Sequence, residues 1–229
     1  MDPLLSRRFF LAGVCAVPLV ALPACTTVGD FAGAGFEDAI RRLLTISSQR
    51  AFANLLQENG FFQDELARVQ LPPQLGGSGV TNALAAILGS NAVQGQLLRL
   101  VNSAARTAAE NAAPVVYDSI RNMSITDAMA LVRGGPTAAT NYLQSSIGNR
   151  IVDILFPGVG NALRTLDNGL VNRAIGAATG INFAGLQQNI SEQAANGIWR
   201  AIGREEAAIR ANPRSVNDPV ISGVFGVLG

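Results

Sequence analysis

From Phe36 to the end of the chain, apolar residues return every three or four positions, and no run alternates with a period of two. That spacing is the mark of helices that each bury one face. Ile40, Leu44, Ser47, Ala51 and Leu55 form one such stripe, and Gly60 is placed as its carboxy-terminal stop. Val93, Leu97, Val101, Ala104 and Ala108 form a second, with Arg106 and Glu110 spaced as an i,i+4 pair on another face. Pro114 suits the first turn of a following helix. SITD at Ser124–Asp127 has the form of a capping box for the next. Gly134-Gly135-Pro136 predicts a stop and restart, after which Leu143, Ile147, Ile151 and Ile154 give one helix its buried side, until Pro157-Gly158 ends or kinks it. A looser helical stretch follows from Asn161 to about Ala178, then a long helix from Ala184 to Ala211 and an apolar tail. The segment between Phe61 and Gly79 reads as a loop, with a short helix possible near 80–88. The expected class is all-α: a single multi-helix domain over residues 36–229.

The residue types that are missing limit the chemistry. The chain has no histidine and, in its 229 residues, no lysine; its two cysteines are Cys15 and Cys25. A His-based nucleophilic triad, an imidazole metal site, a Schiff-base lysine and a P-loop lysine are therefore all excluded. GGSGV at Gly76 and GVGNAL at Gly158 do not complete a dinucleotide fingerprint and read as turn glycines. Net charge is +1 with charges scattered, so no basic face for nucleic acid is expected. No cofactor and no metal are expected.

The opening residues read as an address. Arg7 and Arg8 precede sixteen uncharged residues, Phe9 to Ala24, too few for the roughly 20 that span a membrane. A charged start, an apolar middle and a small residue before a cut site describe an export signal over residues 1–24. Leu22-Pro23-Ala24-Cys25 has the order of a lipobox, with proline an unusual choice in the middle. Cys25 would then be the first mature residue and carry acyl chains, each buried CH₂ contributing about 0.8 kcal/mol of anchoring. The plainer alternative is a cleaved signal in which Cys25 is incidental. Ser6-Arg7-Arg8-Phe9-Phe10-Leu11 has the form of the twin-arginine export motif, with the pair Arg7 and Arg8, then Phe10 and Leu11, as its recognition residues. A standard signal for unfolded export is the alternative. Residues 25–35 would be a tether. Beyond residue 24 the chain keeps fifteen arginines and fifteen acids, a near-neutral domain without disulfides.

One carboxylate stands out. Ile198, Ile202 and Ile209 fall in a narrow helical wedge, and Glu205 falls inside it, while Glu206 lies to one side, one turn before Arg210. A carboxylate in an apolar stripe needs a counter-charge. Glu205 is thus expected to be at least partly buried against an arginine of another helix, with Arg41, Arg121 and Arg150 as candidates. A register-fixing ion pair and a functional carboxylate are both open.

QENGFF near Asn59, NAAPVVYDSIRNMSITDAMALVRGGPTAATNYL from Asn111, and GIWRAIGREEAAIRANP followed by VFG resemble the bacterial domain of unknown function 4197 family. The likeness runs in order over most of the chain from Phe36. It implies a helical fold in an exported or lipid-anchored protein, and no catalytic residue. The functions to weigh are a non-catalytic envelope lipoprotein that binds another protein, a carrier or sensor of a lipid or other apolar ligand, and a carboxylate-dependent hydrolase.

Overall fold

The computed structural model describes residues 28–72, 90–166, 169, 172 and 182–228. Among them are eight α-helices and no strand, arranged as a single all-α domain. They are α1 (Val28–Leu55), α2 (Gly60–Gln63), α3 (Asn91–Asn122), α4 (Ala128–Val132), α5 (Ala138–Ile147), α6 (Arg150–Leu166), α7 (Phe183–Ala211) and α8 (Pro219–Leu228). A 3₁₀ turn at Pro213–Val216 joins the last two.

Two pairings set the architecture: α3 lies along α6, and α1 along α7, with α7 also touching α3, α5 and α6. Small residues make the first pairing close. Ala104, Ala105, Ala108, Ala109 and Ala112 are buried on α3, and Gly158 of α6 sits where a Cβ would lie 3.1 Å from the Cα of Ala108. The first stripe holds: Ile40, Leu44, Ser47, Ala51 and Leu55 are all fully buried. So are Leu97, Val101, Ala104 and Ala108, while Val93 is half-buried.

The prolines behave differently from expectation. Pro114 and Pro157 lie inside α3 and α6 rather than at breaks. Each is solvent-facing, as is the residue four before it, Glu110 or Asp153. The carbonyls that lose an N–H partner there belong to a wet face, which lowers the penalty of an internal proline. The break that spacing missed is Gly148, at φ +58°, which ends α5 and splits Leu143 and Ile147 from Ile151 and Ile154. A non-glycine residue resists that left-handed region.

Two amino-terminal expectations also shift. Helix α1 begins at Val28, so most of the predicted tether is its first turns; glycine weakens an extending helix without breaking it. The helix stops at Leu55, and Gly60 instead opens α2, where a Cβ would strike the carbonyls of Asn54 and Leu55. Asp127 caps α4 directly, accepting the Ala130 amide at 2.9 Å, so the helix starts later than a box on Ser124 would place it. Gly134-Gly135-Pro136 does separate two helices, and α7 runs within one residue of its expected span. The GGSGV stretch, the helix near 80–88 and most of the stretch beyond Leu166 up to Ile181 lie outside the described residues.

Candidate functional site

Helix α7 is buried around most of its girth, because three other helices and α1 surround it. Trp199, Gly203 and Ala195 extend its buried arc past the isoleucine wedge, toward the side that carries Glu206. Glu206 is 0% exposed. Its Oε1 accepts the Ala139 amide at 3.0 Å and the Arg210 Nε–H at 2.8 Å. Its Oε2 accepts the Thr140 amide at 2.7 Å and the Thr140 hydroxyl at 2.6 Å. Thr137, the residue preceding α5, makes no capping bond of its own, so Glu206 supplies the cap from a distant helix. Arg210 completes the clamp by donating to the carbonyls of Leu131 and Val132 at the end of α4, with its guanidinium 4.8 Å from the ring centroid of Phe225 in α8.

Glu205 was expected to be at least partly buried against an arginine of another helix; it is partly buried, and it is the partner that needs correction. Its side chain is 17% exposed, and the nearest base is its own neighbour Arg204, at 3.9 Å. None of the three candidate arginines meets it among the described residues. Arg41 donates to the carbonyls of Ile120, Arg121 and Met123 and so caps the end of α3. Arg121 pairs with Asp118, and Arg150 borders a polar cleft with Asp118, Ser119 and Asn122. A wedge drawn through three isoleucines is narrower than the true buried arc, and only Glu206 reaches free helix N–H groups. The one sequence signal for it was its i,i+4 spacing to Arg210. Cys25, Arg7, Arg8, Phe10 and Leu11 lie outside the described residues.

In front of this clamp, between α5 and α7, opens a cleft of about 460 Å³. Thr140 and Gly203 form part of its wall, together with Leu66, Trp199 and Ala207. Its polar side chains are Asn141, Gln144, Asn196 and Arg200, with Arg204 at the edge. Gln144, Asn196 and Arg200 make no side-chain hydrogen bond or ion pair among the described residues. Spacing along single helices could not find them, since what matters is which surfaces two helices leave uncovered.

Arg204 is spoken for. It holds Asp64 by two bonds, at 3.1 and 2.7 Å. Burial pushes the Asp64 carboxyl up, but the Arg204 bonds and the amides of Leu66 and Ala67 outweigh it, and the group lies below its ordinary value. The Asp64 bond in turn raises the Arg204 guanidinium. The Tyr142 hydroxyl donates to the Ser124 carbonyl at 2.6 Å. No group of three or more Cys, Asp or Glu side chains among the described residues could hold a metal ion. No helix among them is long and apolar enough to cross a membrane.

A family model described as protein of unknown function (DUF4197) matches residues 31–226, and the chain belongs to that family. No curated protein matches the chain, and no solved structure does.

Proposed function

We propose that this family member is a bacterial envelope lipoprotein, tethered through acyl chains on Cys25, whose helical domain binds a partner and performs no chemistry. One observation carries the binding reading. The cleft between α5 and α7 presents Gln144, Asn196 and Arg200 without protein partners, while the acids beside it are already bound. Four donors saturate Glu206, which has no exposed surface. Asp64 is held ionised by Arg204 and cannot act as a general acid near neutral pH. A hydrolase working through two facing carboxylates has little support from such acids. A carrier of apolar ligands needs an enclosed apolar chamber; this cleft opens to solvent and carries two guanidinium groups and three carboxamides.

The anchor rests on the order Leu22-Pro23-Ala24-Cys25 and the export route on Arg7, Arg8, Phe10 and Leu11. Cys25→Ala should move the protein from the membrane fraction to the soluble one, and continued membrane association rejects the anchor. Exchanging Arg7 and Arg8 for lysines should block export; unchanged export points to the unfolded route. For the cleft, a photo-crosslinking residue at Gln144 of the full chain in intact cells should capture an envelope partner that the same residue at Glu58, exposed after α1, does not. Identical adducts at both positions reject the cleft as the binding site.

A further inference from the structure

Resting on the reading of the cleft as a binding site, we infer that its occupant is an extended peptide stretch bearing a carboxylate. The molecule already makes the parts of that recognition with its own chain, carboxamides on the backbone of Val69 and Gln70 and an arginine on the acid of the turn before them. Residues 64–70 lie against α7 and α3. Asn102 of α3 accepts the Val69 amide at 2.9 Å and donates to the Val69 carbonyl at 2.9 Å. Gln193 of α7 accepts the Gln70 amide at 2.9 Å and donates to the Gln70 carbonyl at 3.0 Å. Each carboxamide thus offers an extended residue the donor and acceptor that a neighbouring β-strand would offer. Before that stretch the chain makes a turn, the Arg68 amide donating to the Asp64 carbonyl at 2.8 Å, and Arg204 grips the Asp64 side chain. Gly197 lets the stretch sit directly on the helix, since a Cβ there would be 2.9 Å from the Cα and carbonyl oxygen of Ala67.

The cleft repeats these parts on the neighbouring face of the same helix. Asn196 and Arg200 follow Gln193 at i+3 and i+7, so they continue its side of α7, and Gln144 adds a carboxamide from α5. That row covers about 10 Å of helix, the length of about three residues of extended chain. The lining holds two arginines and no acid; Arg204 is neutralised by Asp64, which leaves the Arg200 guanidinium as the uncompensated charge. Carboxamides that match alternating N–H and C=O groups suit a peptide backbone better than a phosphate, which presents acceptors only. Leu66, Trp199 and Ala207 give apolar contact to the side chains in between. The carboxylate can come from an Asp or Glu side chain or from a chain terminus.

Trp199 is the single tryptophan and lines the cleft, so its emission reports occupancy. The full chain in detergent micelles is titrated with three pools of acetylated pentapeptides, randomised over neutral residues. One pool carries a central Asp or Glu and a terminal amide, one a free terminal carboxylate and no acidic side chain, one neither. Sodium glutarate serves as an anion without a backbone. A saturable change with the first pool or the second is expected, and which of them responds identifies the source of the carboxylate. Arg200→Ala should weaken it at least tenfold with an unchanged melting temperature, Arg200→Lys should recover part, and Asn196→Ala with Gln144→Ala should weaken it severalfold. The inference is overturned by equal responses to the uncharged pool or to glutarate, by a response that survives Arg200→Ala, or by silence of every pool. Silence together with a specific adduct at Gln144 in cells rejects the peptide and keeps the cleft as a site; silence together with no specific adduct rejects both.

Discussion

Glu206 and Thr140 are joined twice, the same carboxylate oxygen accepting the amide of Thr140 at 2.7 Å and its hydroxyl at 2.6 Å. The acid belongs to α7 and the threonine to α5, so the bond fixes where the two helices that line the cleft stand. Arg210 ties the same carboxylate to the end of α4 and to Phe225. Removing one member of a buried pair leaves the other charge uncompensated, at about 3 kcal/mol or more. Glu206→Gln should therefore lower unfolding stability by about 3 kcal/mol, and Thr140→Val by about 1–2 kcal/mol. Combining Glu206→Gln with Arg210→Met should cost less than the sum of the two alone. Urea unfolding followed by Trp199 emission measures the parent and all four variants, and a loss under about 1 kcal/mol for Glu206→Gln contradicts the clamp.

Glycines on α7 and α8 should respond to alanine in opposite directions. At Gly197 the new methyl would meet the backbone of Ala67 at 2.9 Å, and backbone cannot step aside as a flexible side chain can. Overpacking of that kind costs about 1–3 kcal/mol. At Gly223, within α8, nothing lies within 4 Å of the added Cβ. Alanine there should stabilise by up to about 1 kcal/mol through helix propensity alone. Thermal melts of Gly197→Ala and Gly223→Ala decide it: shifts of the same sign would contradict the account of α7 lying on residues 64–70.

Two hydroxyls sit at a disadvantage in α1. The Oγ atoms of Ser47 and Ser48 are buried and have no hydrogen-bond partner among the described residues. An unsatisfied buried hydroxyl costs about 1–3 kcal/mol in mutational comparisons, and alanine keeps the small volume while removing the hydroxyl. Ser47→Ala and Ser48→Ala should each be neutral or stabilising in urea unfolding, against the usual direction for a substitution in a core. A loss above about 1 kcal/mol in either would mean that the hydroxyl is bonded.

The helices were legible wherever burial follows one helix's own periodicity, as the Ile40–Leu55 stripe and the span of α7 show. Pro114 and Pro157 misled because a proline's effect depends on whether its helix face is wet, which is a tertiary property. Glu205 and Glu206 show the same limit at the scale of one residue. Both acids lie near the isoleucine wedge, and the choice between them was made by the amides of Ala139 and Thr140, some 66 residues away in sequence. The cleft was still less visible. Gln144, Asn196 and Arg200 look like ordinary exposed helix residues until α5 and α7 are placed side by side. The absent residue types, by contrast, limited the chemistry from the start, since absence does not depend on packing.

Acid should expose the Asp64–Arg204 contact. The folded Asp64 carboxyl lies below its ordinary value of 3.8, so the stability it contributes is fully present above about pH 4. That contribution fades as pH falls from the ordinary value through the folded one, because the unfolded chain takes up its proton first, and it is gone once both states are protonated. Asp218 is shifted the same way: burial opposes the shift, and the amides of Ile221 and Val220 with Arg42 outweigh it. With no histidine in the chain, no imidazole titrates between pH 5 and 8, and the melting temperature should be nearly flat there. Asp64→Asn should melt lower than the parent at pH 7 and approach it as pH falls toward about 2. Circular dichroism melts across that range test the sign directly: a gap that stays constant with pH would show that Asp64 contributes shape and not charge.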